Sequence, residues 1–201
     1  MSFEEFKLLK EILRAVKERG YQSPTEIQSK TIPEILQRQD ILGESQTGTG
    51  KTASFLLPIL HLLHNSQEQA SRKPRALILV PTREMAVQMK AQVIFYGKYL
   101  KLKVALVAGG MAMHSQIAQL KRGVDIVVAT PGRLLDHMNR KTVKLAAIDF
   151  LVLDEADCML DMGFIHDMKK IIASLPTKRQ TLLFSATFSV TIQTLAEELL
   201  P

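Results

Sequence analysis

Short, uniformly apolar runs alternate with longer segments of helical periodicity from about residue 40 onward. The apolar runs cover residues 41–42, 76–80, 104–107, 126–129, 150–153 and 181–184. Because these runs are apolar throughout, without alternating polar positions, they are typical of strands buried on both faces of a sheet. Regular alternation of strand and helix predicts an α/β fold with a mostly parallel central sheet and helices on both faces.

The first 39 residues follow a different pattern, in which helical spacing dominates. Apolar residues recur at Leu9, Ile12, Leu13 and Val16. This spacing predicts a helix over residues 6–19 that stops at Gly20. Further along, Ser23 followed by proline and then by Glu26 predicts a capping box that opens a second helix. We therefore expect a helical segment at residues 1–39 to precede the sheet-forming core.

Length and composition fit one ordinary globular domain. The chain has 201 residues, of which 46% are hydrophobic and 23% are charged, and nothing in it looks like an interdomain linker. We therefore expect a single domain over residues 1–201, with the core at 40–201. One cysteine excludes an internal disulfide framework and favours a reducing, cytoplasmic location. No apolar run approaches the roughly 20 residues of a membrane helix, so no membrane association is expected.

The charge balance is basic. Lysine and arginine exceed aspartate and glutamate by six, and the sequence pI is about 9.5. This excess favours a polyanionic partner, because cations that neutralise phosphates release counterions. Charge alone does not separate that partner from an ordinary basic, solvated surface.

A glycine-rich loop follows the first predicted strand and directly precedes a helical segment. Such a loop cradles phosphates with its backbone N–H groups. Lys51 would reach the β and γ phosphate oxygens, and the Thr52 hydroxyl would ligate Mg²⁺. The strict phosphate-loop signature, G-x-x-x-x-G-K-S/T, has glycine where this chain has Ser45. A glycine-rich turn that binds no ligand is therefore the alternative. The candidate phosphate-binding residues are Ser45, Gln46, Thr47, Gly48, Thr49, Gly50, Lys51 and Thr52.

An acidic segment, residues 154–157, follows the fifth predicted strand. Because ligands in open parallel sheets bind outside the carboxyl ends of the strands, we expect it to face the glycine-rich loop. Asp154 would then hold Mg²⁺, and Glu155 would orient and deprotonate the attacking water. With Lys51, these two are the candidate catalytic residues. Taken alone, the segment could simply cap the following helix, because aspartate and glutamate favour the first turn of a helix.

Two hydroxyl residues, Ser185 and Thr187, follow the last predicted strand. They could hydrogen-bond the carboxylates of Asp154 and Asp157 and so report the state of the nucleotide across the sheet. We therefore regard Asp157, Ser185 and Thr187 as candidate coupling residues. The alternative is that Ser185 or Thr187 simply caps the following helix.

Two further strand ends place a threonine and then an arginine at the start of a helix. A helix N-terminus with a nearby guanidinium is suited to binding phosphate. Two such sites with a flexible glycine pair between them in sequence could follow a sugar–phosphate backbone. Two ordinary capped helices are the alternative. The candidate polyanion-binding residues are Pro81, Thr82, Arg83, Gly109, Gly110, Thr130, Pro131, Gly132 and Arg133.

These motifs, in this order and over essentially the whole chain, resemble the first RecA-like domain of the DEAD-box RNA helicases, most closely the bacterial RhlE-type branch. The resemblance extends to Phe3, to Gly20-Tyr21 and to Gln28. It implies that Gln28 reads the adenine edge, that Phe3 stacks on the ring, and that Tyr21 belongs to the same site. ATP and Mg²⁺ would be the cofactors. Single-stranded RNA would be held by its backbone, with little sequence preference.

The resemblance further implies the ATP-binding half of an enzyme that couples ATP hydrolysis to local unwinding of RNA. A second RecA-like domain, which supplies arginine fingers, would be the partner of this one. Without it, we expect the chain to bind nucleotide but hardly to hydrolyse it or to unwind a duplex. The alternatives are another P-loop ATPase or nucleotide kinase, and an RNA-binding module with a vestigial nucleotide pocket.

Overall fold

A parallel sheet forms the centre of the computed structural model, which describes residues 1–44, 46, 48–66 and 73–200. In these residues six strands are ordered β1-β6-β5-β2-β4-β3, and every pair of neighbours is parallel. The predicted α/β class with a parallel sheet is thereby confirmed. The strands are β1 (Ile41–Glu44), β2 (Ala76–Leu79), β3 (Val104–Val107), β4 (Ile126–Ala129), β5 (Phe150–Leu153) and β6 (Gln180–Ser185).

Helices cover both faces of the sheet, as predicted. Helices α1 to α4 pack on one face, whereas α6 to α9 pack on the other, joined there by Leu120 of α5. The helices are α1 (Lys10–Glu18), α2 (Glu26–Leu36), α3 (Lys51–Asn65), α4 (Arg83–Tyr96), α5 (Met113–Arg122), α6 (Pro131–Asn139), α7 (Ala156–Asp161), α8 (Ile165–Ala173) and α9 (Val190–Leu199). No helix within the described ranges is long and apolar enough to cross a membrane.

The uniform hydrophobicity of the strands follows from these two layers. In β2, Ile78 joins the core under α1 to α4, whereas Leu77 and Leu79 join the core on the opposite face. Because successive side chains of a strand point to opposite faces, both sets of positions must be apolar. The same pairing brings all six carboxyl ends to one edge of the sheet.

The amino terminus differs from the predicted helix over residues 6–19. A 3-10 turn spans Phe3–Phe6, the next residue, Lys7, is left-handed with φ 57°, and α1 starts only at Lys10. The backbone N–H of Leu9 donates to His61 Nδ1 at 3.1 Å. This tertiary contact holds the chain extended immediately before the helix, which periodicity alone does not reveal.

The second helix also starts later than predicted. Thr25, not Ser23, is its N-cap, and the helix begins at Glu26. The Thr25 hydroxyl accepts from the backbone N–H of Gln28, while Gln28 Oε1 accepts from the backbone N–H of Thr25 at 3.0 Å. A capping box is therefore present, but two residues beyond the predicted position.

Candidate functional site

The glycine-rich loop and the acidic segment meet at the carboxyl edge of the sheet. Lys51 is the first residue of α3, and Asp154 directly follows β5. Lys51 Nζ lies 2.7 Å from Asp154 Oδ1 and 3.0 Å from Glu155 Oε1. The side chains of Lys51 and Asp154 are only 8% and 7% exposed. Three charged groups from distant parts of the chain thus form one buried ion-pair cluster.

Burial and charge act in opposite directions on this cluster. Burial by itself lowers the pKa of Lys51, but the carboxylates of Asp154 and Glu155 outweigh it and raise that pKa overall. Burial raises the pKa of Asp154, and the Lys51 ammonium opposes that shift. Lys51 therefore stays protonated and supplies the positive charge that these carboxylates need out of water.

The side chains of Asp154 and Glu155 do not cap the following helix. Glu155 occupies the N-cap position of α7 but makes no capping hydrogen bond through its side chain. Its backbone is left-handed, with φ 57° and ψ 48°, a conformation that costs a non-glycine residue about 1–2 kcal/mol. The Glu155 carboxylate contacts Lys51 instead. The helix-cap alternative therefore fails for Glu155, whereas Asp157 of the same segment does lie in the first turn of α7.

A cavity of about 310 Å³ lies between the glycine-rich loop, the acidic pair and α4. Its volume falls within the range of small-molecule sites. The lining includes Gln46, Gly48, Gly50, Lys51, Thr52, Tyr21, Asp154 and Glu155. Thr49 is half-buried, between two glycines that line the cavity, and its hydroxyl donates to the Gln46 carbonyl at 2.8 Å. The predicted residues Ser45 and Thr47 lie outside the described residues.

The residues around this cavity fit a magnesium ion that is shared with a ligand. Thr52 and Asp154 line the same space and supply the hard oxygen donors that Mg²⁺ prefers. Among the described residues there is no cluster of three or more side chains able to hold a metal by itself. Mg²⁺ usually takes one or two carboxylates together with water and substrate phosphates, so a small protein donor set is sufficient.

Gln28 is fully buried and contacts the glycine-rich loop directly. Its Nε2 donates to the Gly50 carbonyl at 3.1 Å, while its Oε1 accepts from Thr25. Gly50 is left-handed with φ 82°, and a Cβ there would lie 2.5 Å from Gln28 Nε2. Both ends of the amide are thus engaged. The assignment of Gln28 as an adenine reader stays a prediction.

The two aromatic residues predicted for the adenine site lie in contact. Their ring centroids are 6.0 Å apart, and Tyr21 lines the cavity. Phe3 is only 4% exposed and is not among the lining residues. In this structure Phe3 supports Tyr21 from behind, and its stacking role stays a prediction.

A second group of predicted residues converges on the loop after β3. Arg83 Nη1 donates to the Gly110 carbonyl at 3.4 Å, and Arg133 Nη1 donates to the Met111 carbonyl at 2.7 Å. Gly110 is left-handed with φ 79° and lets Arg83 approach, since a Cβ there would lie 2.8 Å from Nη1. Three separate segments thus form one partly exposed basic surface.

The two threonines of this surface behave differently. Thr82 caps α4 by accepting from the backbone N–H of Met85 at 3.2 Å. Thr130 precedes Pro131, the first residue of α6, but makes no capping hydrogen bond through its side chain. Its hydroxyl accepts from the Gly109 N–H at 3.2 Å instead. The simple-cap alternative holds for Thr82 and fails for Thr130.

The remaining residues of this group have no polar side chain of their own. Pro81 and Pro131 are buried at the two helix starts, whereas Gly132 is exposed. The prolines therefore shape the turns, and an exposed glycine allows close approach to the backbone.

The three candidate coupling residues form a short chain of contacts. Thr187 Oγ1 donates to Asp157 Oδ2 at 3.1 Å, and Ser185 Oγ donates to the Thr187 carbonyl at 2.7 Å. The end of β6 is thereby connected to the acidic segment after β5. Whether it reports nucleotide state stays a prediction.

Sequence reasoning missed two sets of polar residues. Arg19 lines the cavity, where it donates to Gln92 at 2.5 Å and stacks over Phe95. Gln116 and His137 form a buried pair behind the basic surface. No motif marks these residues, because each pairing joins positions far apart in sequence.

Comparison with known proteins agrees with the geometry. The DEAD/DEAH box helicase family matches residues 25–195. The chain is 47% identical over 97% of its length to the ATP-dependent RNA helicase CshA of Listeria monocytogenes, of which it covers 37%. It is 44% identical over 98% of its length to the ATP-dependent RNA helicase DbpA of Bacillus subtilis, of which it covers 40%.

A solved structure shows the same fold. A DEAD box protein from the hyperthermophile Methanococcus jannaschii matches all of the chain with a TM-score of 0.93 and 42% identity, and 54% of that protein is covered. The predicted RecA-like fold is thereby confirmed. The chain spans about two-fifths of the curated relatives. With family and fold in agreement, this chain belongs to the DEAD/DEAH box helicases.

Proposed function

We propose that the chain is the ATP-binding domain of an ATP-dependent RNA helicase, which couples ATP hydrolysis to local unwinding or remodelling of RNA. The observation that carries this proposal is the convergence of Lys51, Asp154 and Glu155 within 3.0 Å at one edge of the sheet. The names of the relatives support the activity, since they are ATP-dependent RNA helicases.

The ion-pair cluster suits phosphoryl transfer because its charges can be redistributed. Lys51, now paired with carboxylates, would move to the β and γ phosphate oxygens. Thr52 and Asp154 would hold Mg²⁺, which supplies positive charge to the phosphates. Glu155 would then be free to accept a proton from water.

Adenine selectivity would come from Gln28. A carboxamide donates and accepts hydrogen bonds at once, which matches the donor–acceptor edge of adenine. Its present partner, the Gly50 carbonyl, places it beside the phosphate loop. Tyr21, supported by Phe3, would provide an aromatic surface for the base.

RNA would bind along the basic surface formed by Arg83, Gly109–Gly110, Thr130 and Arg133. Arg133 contacts a backbone carbonyl, and Arg83 contacts a backbone carbonyl and the exposed Glu84, a weak pairing that phosphates of a single strand could replace. The described donors of this surface are arginines, threonines and backbone N–H groups, the types that most often contact phosphate and sugar, which favours binding through the backbone with little sequence preference.

Full activity would require a second RecA-like domain. Arginine fingers raise the rate of phosphoryl transfer by roughly 10³–10⁵, and this chain is proposed to act with fingers supplied from that domain. The isolated chain would therefore bind ATP but hydrolyse it very slowly. The RhlE-type branch and a cytoplasmic location are part of the same proposal.

The test is Glu155→Gln in the full-length protein. This change keeps the size of the side chain and removes the base, so ATP binding should persist while RNA-stimulated hydrolysis falls at least about 100-fold. Glu198→Gln is the matched control, because Glu198 pairs with Lys169 far from the cluster. Fluorescence titration of ATP and release of phosphate with single-stranded RNA provide the two measurements.

Three outcomes would contradict parts of this proposal. Turnover that survives Glu155→Gln would eliminate the proposed base. Wild-type protein that transfers phosphate to a small acceptor would be a nucleotide kinase, and one that binds RNA without turnover would be a binding module with a vestigial pocket.

A further inference from the structure

A buried polar pair lies directly behind the basic surface. Gln116 on α5 is 2% exposed and His137 on α6 is fully buried. Gln116 Oε1 and His137 Nε2 are 2.8 Å apart. Neither side chain reaches the cavity beside Lys51. Buried polar groups need satisfied hydrogen bonds, so the partners of this pair indicate what it does.

The orientation of the Gln116 amide follows from its surroundings. One end lies 2.9 Å from the Ala108 carbonyl, at the end of β3. A carbonyl only accepts, so the amide nitrogen must face Ala108 and Oε1 must face the other way. There Oε1 accepts from Arg133 Nη1 at 3.2 Å. Gln116 therefore connects the root of the glycine loop to an arginine of the basic surface.

The same reasoning fixes the protonation of His137. Because Gln116 Oε1 only accepts, His137 Nε2 must carry the hydrogen. Its Nδ1 lies 2.7 Å from the Thr142 hydroxyl, whose single hydrogen is directed to Nδ1 or to the His137 carbonyl at 3.1 Å. Burial, then Arg133 and Arg140, lower the pKa of His137, against Asp136, so the neutral ring is favoured. The structure thus specifies the Nε2–H tautomer.

We propose that Gln116 and His137 are positioning residues for RNA binding. His137 orients the Gln116 amide, and that amide holds Arg133 and the backbone at Ala108 in fixed relation. The loop at residues 109–111 and Arg133 then present their donors to RNA together. This inference rests on the RNA-binding role proposed above and adds to it the residues that shape the surface from behind.

Loss of the Gln116 side chain should affect the binding of RNA but not of ATP. Without Gln116, Arg133 keeps only the Met111 carbonyl, and the Ala108 carbonyl loses its side-chain donor. The cluster around Lys51 shares no hydrogen bond with this pair among the described residues. RNA affinity should therefore fall while ATP affinity is retained.

The experiment compares Gln116→Leu with wild type in the full-length protein. We expect about tenfold weaker binding of a fluorescent oligouridylate, which corresponds to 1.4 kcal/mol, since the hydrogen bonds of Gln116 with Ala108, Arg133 and His137 are all lost. ATP affinity should be unchanged. Gln116→Glu is the second variant, because it keeps an acceptor for Arg133, replaces the donor to Ala108 with an oxygen and adds a negative charge.

Gln180→Leu is the matched control for loss of a buried glutamine. Gln180 is 2% exposed and donates to the carbonyls of Ile35 and Gln39 at the opposite edge of the sheet. It should lower the unfolding temperature as Gln116→Leu does, and leave RNA affinity unchanged. Equal effects of the two variants on RNA affinity would overturn the proposal.

Two variants of His137 distinguish a positioning role from a purely structural one by their RNA affinity. His137→Gln retains a donor at the position of Nε2 and should restore most RNA affinity, whereas His137→Leu should not. Nitrogen-15 spectra of wild type should show the Nε2–H tautomer. An Nδ1–H tautomer, or equal affinity of the glutamine and leucine variants, would contradict the assigned role.

Two further variants separate this inference from the proposal on which it rests. Arg83→Ala and Arg133→Ala should both weaken RNA binding. If neither does, the RNA surface itself is wrong. If both do and Gln116→Leu does not, only the positioning role is wrong.

Discussion

The two halves of the sheet edge handle charge in opposite ways. In the half formed by β1, β6 and β5, Lys51 is buried and paired with Asp154 and Glu155. In the half formed by β2, β4 and β3, Arg83 and Arg133 are exposed or half-buried and contact backbone carbonyls, and Arg83 also forms an exposed ion pair with Glu84 at 3.4 Å. A ligand of the first half must replace buried charged partners. A ligand of the second half meets cations whose charged partner, where there is one, is exposed to solvent and contributes little.

This difference indicates different physical controls on the two ligands. Under the proposed function, binding of phosphates in the first half would exchange one set of charge contacts for another at a largely buried position, which would favour the phosphate geometry. Binding of RNA in the second half would gain from long-range attraction and counterion release, which are weakened by salt. Three changes test this contrast, in order of decreasing expected effect.

Removal of the buried cation should have the largest effect. Lys51→Met leaves Asp154 buried beside Glu155 without a positive partner, and breaking such a buried pair costs about 3–5 kcal/mol. Urea unfolding of the 201-residue chain without nucleotide measures this cost. Lys169→Met, which breaks an exposed pair with Glu198, should cost several-fold less. Equal costs would show that the cluster around Lys51 is effectively solvated.

Replacing each of two left-handed glycines with alanine should affect the two halves of the sheet edge differently. Gly50→Ala and Gly110→Ala share a backbone cost of about 1–2 kcal/mol. A Cβ at Gly50 also meets the buried Gln28 amide at 2.5 Å, whereas at Gly110 it meets only the movable end of Arg83. We expect Gly50→Ala to lose more stability and ATP affinity, and Gly110→Ala to lose RNA affinity.

Gly163→Ala supplies the reference for that pair of variants. Gly163 is left-handed with φ 85°, and a Cβ there meets nothing within 4 Å. The loss of unfolding free energy in Gly163→Ala therefore gives the backbone cost alone. If Gly50→Ala loses no more unfolding free energy than Gly163→Ala, the contact with Gln28 does not affect stability.

The smallest expected effect is on the pH dependence of stability. His137, in one half, should affect it at low pH, and Lys51, in the other half, only at high pH. The pKa of His137 lies below its ordinary 6.5, so near and below that pH the unfolded chain binds more protons. Unfolding free energy should therefore fall as pH decreases from 7 to 5. The pKa of Lys51 lies above its ordinary 10.5, so its contribution is complete in that range and is lost only at higher pH.

Urea unfolding at several pH values measures this effect. His137→Gln should flatten the dependence between pH 5 and 7 in part, since His61, whose pKa burial also lowers, remains. An unchanged slope in the variant would mean that the pKa of His137 is the same in the folded and unfolded protein.

The sequence predicts the sheet and its functional edge well, for a physical reason. Strands such as β4 are apolar at every position because both faces are covered, and that signal is strong and local. Lys51 and Asp154 could be placed together because parallel strands end at one edge. The start of α1 could not be predicted, since it depends on a contact between Leu9 and His61.

The residues behind the site were beyond the reach of sequence reasoning. Gln116 and His137 resemble any polar residues on amphipathic helices until the fold brings them to 2.8 Å. Gln28 entered only through the family resemblance, because a glutamine near a helix start is ordinarily solvated. Single side chains that pair across the fold leave no periodic signal.

The hydrogen bond between Gln28 and the Gly50 carbonyl connects the proposed adenine reader to the glycine-rich loop. The Gln28 amide has a second hydrogen on Nε2 and a second lone pair on Oε1, so it can meet adenine, as proposed, and keep its bond to the Gly50 carbonyl. One side chain would then contact both the base and the loop that wraps the phosphates. A triphosphate with another base would leave those two groups of Gln28 without partners, so discrimination would arise at the side chain that also supports the loop.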